Sequence, residues 1–158
     1  KESEVYLAPM RYKDLFSSLL HVFRNSVDHG IESREDRVDK NKSEIAKLEV
    51  SFSKEDEKSF KIKIQDDGKG IDPEAIKSIA LKKEKLSNLD LNNMSDKEII
   101  SLIFEPGFSS KEEATAISGR GVGMDVVKTE VDKLGGAISV SSKIDEGTTF
   151  VIKLPVLS

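Results

Sequence analysis

The 158-residue chain is 37% hydrophobic and 34% charged, with a net charge of −4, which describes one soluble globular domain able to bury about two-thirds of its unfolded surface. The acidic balance excludes a nucleic-acid binder that relies on broad phosphate neutralisation; no apolar run reaches the length of a membrane span, and nothing at Lys1 resembles a signal peptide. Cysteine is absent, which excludes disulfides and thiolate metal sites and makes the cytoplasm the simplest compartment.

Val5-Tyr6-Leu7 predicts a short strand over residues 3–8, ended by Pro9. So abrupt a start reads as a single domain, residues 1–158, excised from a larger protein. Next comes Leu15 to Glu32 (LFSSLLHVFRNSVDHGIE), in which Leu15, Leu19 and Val22, and Phe16, Leu20, Phe23 and Val27, recur at helical spacing. The helix buries that broad stripe and is expected to stop at Gly30 in a left-handed cap. Its remaining rows are unusual for a solvent face: Asp14, Ser18, His21, Asn25, Asp28 and His29 adjoin there, and both histidines of the chain are among them. The charge-dense Ser33–Ser43 run reads as a solvated loop or frayed helix. Ala46–Ser53 and Ser59–Gln65 alternate apolar and polar residues and predict an antiparallel hairpin with one buried face.

The second strand runs into Asp66-Asp67-Gly68-Lys69-Gly70-Ile71-Asp72-Pro73, where Asp72 and Pro73 suit the N-cap and first turn of a helix over Glu74–Ala80. Leu81–Ser95 lacks periodicity and reads as mobile. A short helix over Asp96–Phe104 begins after a Ser95 cap, followed by a turn at Glu105–Ser110 and the polar Lys111–Ser118. Gly119-Arg120-Gly121-Val122-Gly123 opens a helix through Met124 and Leu134, ended by Gly135-Gly136, and strands Ala137–Ser142 and Thr148–Leu154 form a last hairpin. Hairpins mixed with helices, without regular βαβ alternation, indicate an α+β two-layer sandwich.

Three stretches carry chemistry. In Asp66-x-Gly68-x-Gly70 the glycines let a ligand approach the backbone, and a carboxylate at the end of a buried strand can accept a hydrogen bond from the exocyclic amine of a base. Gly119-x-Gly121-x-Gly123 runs into a helix N-terminus, which presents backbone N–H groups to phosphate; its spacing matches neither a dinucleotide fingerprint nor a P-loop. The stretch between the two glycine loops reads equally as a lid, with Phe104, Phe108 and a Gly107 hinge, or as a long surface loop whose phenylalanines are local core.

In order, these signals resemble the N, G1, F, G2 and G3 boxes of the GHKL ATPase superfamily (gyrase, Hsp90, histidine kinases, MutL). HVFRNSVDHGIE, DDGKGID, IFEPGFSS and SGRGVGMDVVK resemble, more narrowly, the catalytic ATP-binding domain of CheA-type chemotaxis and sensor histidine kinases. The resemblance implies a Bergerat-type α+β sandwich, with a mixed, mostly antiparallel sheet covered on one face by helices. It also implies ATP and Mg²⁺ as cofactors. Asn25 would coordinate the metal. His21, which replaces the usual Glu of the superfamily, would lie beside the metal and the γ-phosphate, either as the base or to order the site. Magnesium takes few protein ligands besides phosphate oxygens and water, so one carboxamide with a nearby imidazole suffices. Arg24, Asp28 and His29 would line the phosphate end. Asp66 would accept the adenine amino hydrogen between Gly68 and Gly70, with Thr148 near the base and Phe108 in the lid. Gly119, Gly121, Val122 and Gly123 would wrap the triphosphate beside Arg120.

The implied partners are a histidine phosphotransfer domain that accepts the γ-phosphoryl group and a downstream response regulator in two-component signalling. The parent protein would be dimeric through another domain, and neither nucleic acid nor membrane contact is implied. The alternatives are a GHKL ATPase or serine kinase, against which His21 and GRGVGMD argue, and a non-catalytic nucleotide-sensing module, against which Asn25, Asp66 and the three glycines argue.

Overall fold

The two hairpins carry their apolar residues at even positions, and this parity decides which face of the sheet is covered. The computed structural model describes residues 6–83, 86, 88, 90–108 and 123–157. Among them β1 (Leu48–Lys54), β2 (Ser59–Asp66), β3 (Ala137–Lys143) and β4 (Gly147–Pro155) form one sheet in the order β1-β2-β4-β3. Every ladder between these strands is antiparallel, in keeping with the mostly antiparallel sheet that the resemblance implies.

The β2–β4 ladder sets Phe60 opposite Leu154, Ile62 opposite Ile152, Ile64 opposite Phe150 and Asp66 opposite Thr148. All eight are buried. Helices α1 (Lys13–Asn25), α3 (Pro73–Lys82), α4 (Asp96–Ser101) and α5 (Met124–Lys133) cover this face. Leu15, Leu19 and Val22 of α1 join the core, and Tyr12 packs edge-on against Phe60 with ring centroids 5.6 Å apart. The Tyr12 hydroxyl donates to the Pro155 carbonyl at 2.7 Å, which ties the start of α1 to the end of β4. Local signals for the shorter helices hold. Asp72 caps α3 by accepting from the Glu74 N–H, Ser95 and Glu98 form a capping box on α4, and Gly135 at φ +72° follows α5.

Several expectations are corrected. Residues 3–5 of the predicted first strand lie outside the described residues, and Tyr6–Ala8 form no strand, leading instead into a short 3₁₀ turn at Pro9–Arg11. The long helix is regular only to Asn25; Ser26–Gly30 is a single π-helical turn closed by the Ile31 N–H on the Ser26 carbonyl at 2.9 Å. Gly30 is absent from the positive-φ glycines, so it is not a left-handed cap. Its carbonyl serves a neighbouring loop instead, accepting the Lys69 N–H at 2.8 Å. The Ser33–Ser43 run contains a helix, α2 (Arg34–Asp39), started by Ser33, which accepts from the Asp36 N–H. Arg37 of that helix is 1% exposed.

The first hairpin lacks the expected fully buried face. Val50 and Phe52 pair with Ile64 and Ile62 and so share their face, yet they are 42% and 49% exposed while both isoleucines are buried. β1 is one of the two edge strands, and the helical layer leaves this edge half-exposed. Leu86 and Leu91, in the run read as mobile, are buried.

Position across the sheet therefore decides the energetic weight of residues with identical parity. Ile62→Ala is expected to cost about 2–5 kcal/mol by leaving a cavity under α1, whereas Phe52→Ala costs under about 1 kcal/mol. Urea denaturation of the two variants measures this directly; equal losses would mean that the edge strand is covered in solution.

Candidate functional site

Asp66 is the last residue of β2, and its parity turns the side chain under the helical layer, where it is 5% exposed. Three donors orient it. Oδ1 accepts the Gly68 N–H at 3.0 Å and the Thr148 N–H at 3.2 Å, and Oδ2 accepts the Ser26 hydroxyl at 3.1 Å. A carboxylate offers about four acceptor positions, so this one retains capacity for a ligand donor. It faces a cavity of about 480 Å³ that Asn25, Ser26, His29, Gly70 and Thr148 also line, with apolar walls from Val22, Ile71, Ile76, Ile103, Met124 and Phe150. A largely apolar slot of this volume with a buried, oriented carboxylate in its wall suits a planar base bearing an amine.

Local backbone geometry brings these groups together. The π-turn after Asn25 sets Ser26 against Asp66 and carries the Gly30 carbonyl to the loop after β2, where it accepts the Lys69 N–H at 2.8 Å. Gly68 sits so close to this turn that a Cβ there would lie 2.1 Å from the Gly30 oxygen. Gly70 adopts φ +73°, and a Cβ there would meet the Lys143 carbonyl at 2.2 Å. Both glycines are thus required by close backbone approach, and only Gly70 by its dihedral. The β3–β4 turn is drawn to the same loop by the Asp145 N–H on the Lys69 carbonyl at 2.8 Å. Lys40 bridges to Asp145 at 2.5 Å, and this hydrogen bond raises the Lys40 pKa and lowers that of Asp145.

At the far end the match with expectation is partial. Asn25 and His29 line the cavity. Asn25 touches Met124 through its amide nitrogen, 4.0 Å from the sulfur, and among the described residues its carboxamide oxygen accepts no hydrogen bond. His21 is half-buried one turn earlier and is not among the lining residues. Arg24 and Asp28 pair with each other at 3.7 Å, half-exposed and outside the cavity lining. Phe108 is 1% exposed within the core and does not line the cavity, and Phe104 packs on Phe150 with ring centroids 6.4 Å apart. Both rings serve the core rather than a lid. Gly119, Arg120, Gly121 and Val122 lie outside the described residues, and Gly123 is the N-cap of α5. Among the described residues no group of three or more His, Asp or Glu could hold a metal ion. The free carboxamide oxygen of Asn25 fits a magnesium ion that takes its remaining ligands from phosphate and water.

Sequence reasoning missed Ser26 and a buried ion cluster behind the loop. Arg37 reaches Asp67 Oδ2 at 2.8 Å and Glu32 Oε2 at 3.2 Å, and Lys42 reaches Glu32 Oε1 at 2.7 Å. Burial opposes the Glu32 carboxylate, but the hydrogen bond from Lys42 and the charges of Lys42 and Arg37 outweigh it, so its pKa lies below the usual value. Asp67 is likewise lowered: burial is outweighed by hydrogen bonds from the Lys47 N–H and Arg37 and by the charges of Arg37 and Lys42. The signals were present, with Ser33 as an N-cap and Asn41, at φ +57°, as a helix stop.

The oriented carboxylate and the helix carboxamide thus face one largely apolar slot in an α+β domain. The chain belongs to the histidine kinase-, DNA gyrase B- and HSP90-like ATPase family, whose profile matches residues 15–158. It is 46% identical over 144 residues to the sensor histidine kinase CheAY of Helicobacter pylori, covering 91% of this chain and 18% of that protein. It is 45% identical over 143 residues to the chemotaxis protein CheA of Borreliella burgdorferi, covering 90% of this chain and 16% of that protein. The chain thus spans less than a fifth of the length of these curated relatives. Among solved structures, the blue-light-activated histidine kinase of Erythrobacter litoralis EL346 aligns over 98% of this chain and 33% of its own, with a TM-score of 0.53 at 15% identity, a likeness of fold.

Because Glu32 and Asp67 have lowered pKa values in the folded state, their contribution to stability is complete above the ordinary carboxylate pKa of about 4. It is lost as pH falls through the lower folded values. Melting temperature should therefore drop below about pH 4, and Glu32→Gln should flatten that acid slope while lowering stability at neutral pH. Calorimetry across the acid range tests it; an identical slope in the variant would remove Glu32 as a source.

Proposed function

We propose that this domain binds ATP with Mg²⁺ and supplies the γ-phosphoryl group to a histidine on a separate phosphotransfer domain, with a response regulator downstream in two-component signalling. The observation that carries the reading is Asp66, a buried carboxylate oriented by three donors with acceptor capacity left toward the cavity. Such a group accepts the 6-amino hydrogen of adenine and repels the carbonyl of guanine. Asn25, on the helix across the cavity, would hold Mg²⁺ together with phosphate oxygens and water. The chemistry a metal held there would supply is neutralisation of phosphate charge during transfer.

The reaction breaks the bond between the γ-phosphorus and its bridging oxygen and forms a phosphorus–nitrogen bond on the acceptor imidazole, with ADP leaving. Positioning and electrostatics dominate such transfers. His21 is assigned to the γ-phosphate end, since it stands one helical turn from Asn25. His29 and Thr148 belong to the cavity walls, and Gly119 to Gly123 with Arg120 to the triphosphate. The small share of the CheA relatives that this chain covers supports membership in a larger signalling protein, which would be dimeric through another domain.

Asp66→Asn and Asn25→Asp are each expected to weaken Mg·ATP binding at least tenfold, about 1.4 kcal/mol. Unaltered affinity in both variants by titration calorimetry would sink the site assignment. His21→Ala is expected to slow phosphotransfer to the cognate acceptor domain about a hundredfold, with nucleotide affinity nearly unchanged. Wild-type turnover in that variant would deny His21 a chemical role.

A further inference from the structure

Ion pairing alone does not account for the cluster around Arg37, because ion pairs away from water seldom outperform apolar packing of the same volume. What distinguishes it is where its cations point. Lys42 Nζ donates to the Asp67 carbonyl at 3.0 Å and to the Gly68 carbonyl at 2.7 Å. Arg37 Nη1 donates to the same Asp67 carbonyl at 3.2 Å, and Nε donates to the Ser43 carbonyl at 2.7 Å. Two positive charges therefore converge on one carbonyl oxygen in the loop that follows Asp66.

That carbonyl belongs to the peptide group joining Asp67 to Gly68, and its other end is the Gly68 N–H. A trans peptide is planar, with C=O and N–H pointing in opposite directions. Fixing the oxygen on Lys42 and Arg37 thus fixes the N–H on the opposite side, where it meets Asp66 Oδ1 at 3.0 Å. Cations on the carbonyl also polarise the peptide and strengthen its N–H as a donor. Glu32, whose side chain is 4% exposed, holds both cations in place through one oxygen each.

We propose that Arg37 and Lys42 are positioning residues for base recognition, acting through the Asp67–Gly68 peptide to orient the Asp66 carboxylate toward the amino group of adenine. The proposal rests on the reading of Asp66 as the base acceptor. When the peptide is released, Oδ1 keeps only the longer Thr148 N–H contact at 3.2 Å, and the carboxylate is held by two donors in place of three. The phosphate end is untouched, because Asn25 is carried by α1 and not by this loop.

The test separates base from phosphate. Affinities of the wild type, Lys42→Met and Arg37→Lys are measured for three magnesium complexes: ATP, inosine triphosphate (a carbonyl replaces the 6-amino group) and inorganic triphosphate. Lys42→Met is expected to weaken ATP about tenfold while leaving inosine triphosphate and inorganic triphosphate unchanged. Arg37→Lys, which keeps the charge but loses the fork, shifts the ATP-to-inosine ratio in the same direction, and Lys42→Arg restores it. Without nucleotide, the Gly68 amide should exchange with solvent faster in Lys42→Met than in the wild type.

An equal loss for all three ligands, or an unchanged ratio with unchanged Gly68 exchange, overturns the positioning role. A wild type that does not prefer ATP over inosine triphosphate overturns the reading of Asp66 itself, and this proposal with it.

Discussion

The site depends on the register between β2 and β4, which places Asp66 opposite Thr148 at the end of the ladder. One consequence is that the carboxylate lies on the helix-covered face, beyond the row Phe60, Ile62 and Ile64. A second is that the Thr148 N–H falls within reach of Oδ1. A one-residue slip would turn Asp66 to the opposite face and separate it from both the cavity and Ser26. The same pairs that bury the apolar core therefore aim the polar group. Core and site share one constraint.

The helix before the site works under a related demand. α1 buries Leu15, Leu19 and Val22 on the sheet and still has to bring a carboxamide and a hydroxyl to the same cavity. Regular helical geometry delivers Asn25, and the π-turn that follows delivers Ser26 and the Gly30 carbonyl. Single π-turns recur at functional sites because they re-aim groups within a helix without ending it. Here the turn docks on the Gly68 loop at backbone contact distance, which leaves no room for a side chain at position 68.

Behind that loop, four charged side chains replace what could have been an apolar plug. Arg37 and Lys42 supply donors to carbonyls that have no ladder partner because they lie past the end of β2. An apolar residue would leave those carbonyls unsatisfied in a buried place, at a cost of about 1–3 kcal/mol each. The cluster thus solves a hydrogen-bonding problem created where a strand ends beneath a helix, and the solution carries directional information to Asp66.

Much of this was legible in the chain. Period-two alternation marked all four strands, helical spacing marked α1, and Ser95, Asp72 and Gly135 marked helix ends, since each rests on chemistry within a few residues. The ordered boxes from Asn25 through Asp66 to Thr148 marked the ligand class. Tertiary structure alone decided the rest. Alternation could not show that β1 would be an edge with Val50 and Phe52 half-exposed, because strand order depends on partners distant in sequence. The phenylalanines at 104 and 108 read equally well as lid or core, and neighbours such as Phe150 settled them as core. Arg37 looked like one more charge in a solvated run. Its burial depends on Glu32 and Lys42, which flank α2, and on Asp67, 30 residues away in the loop after β2, a meeting that no local pattern encodes.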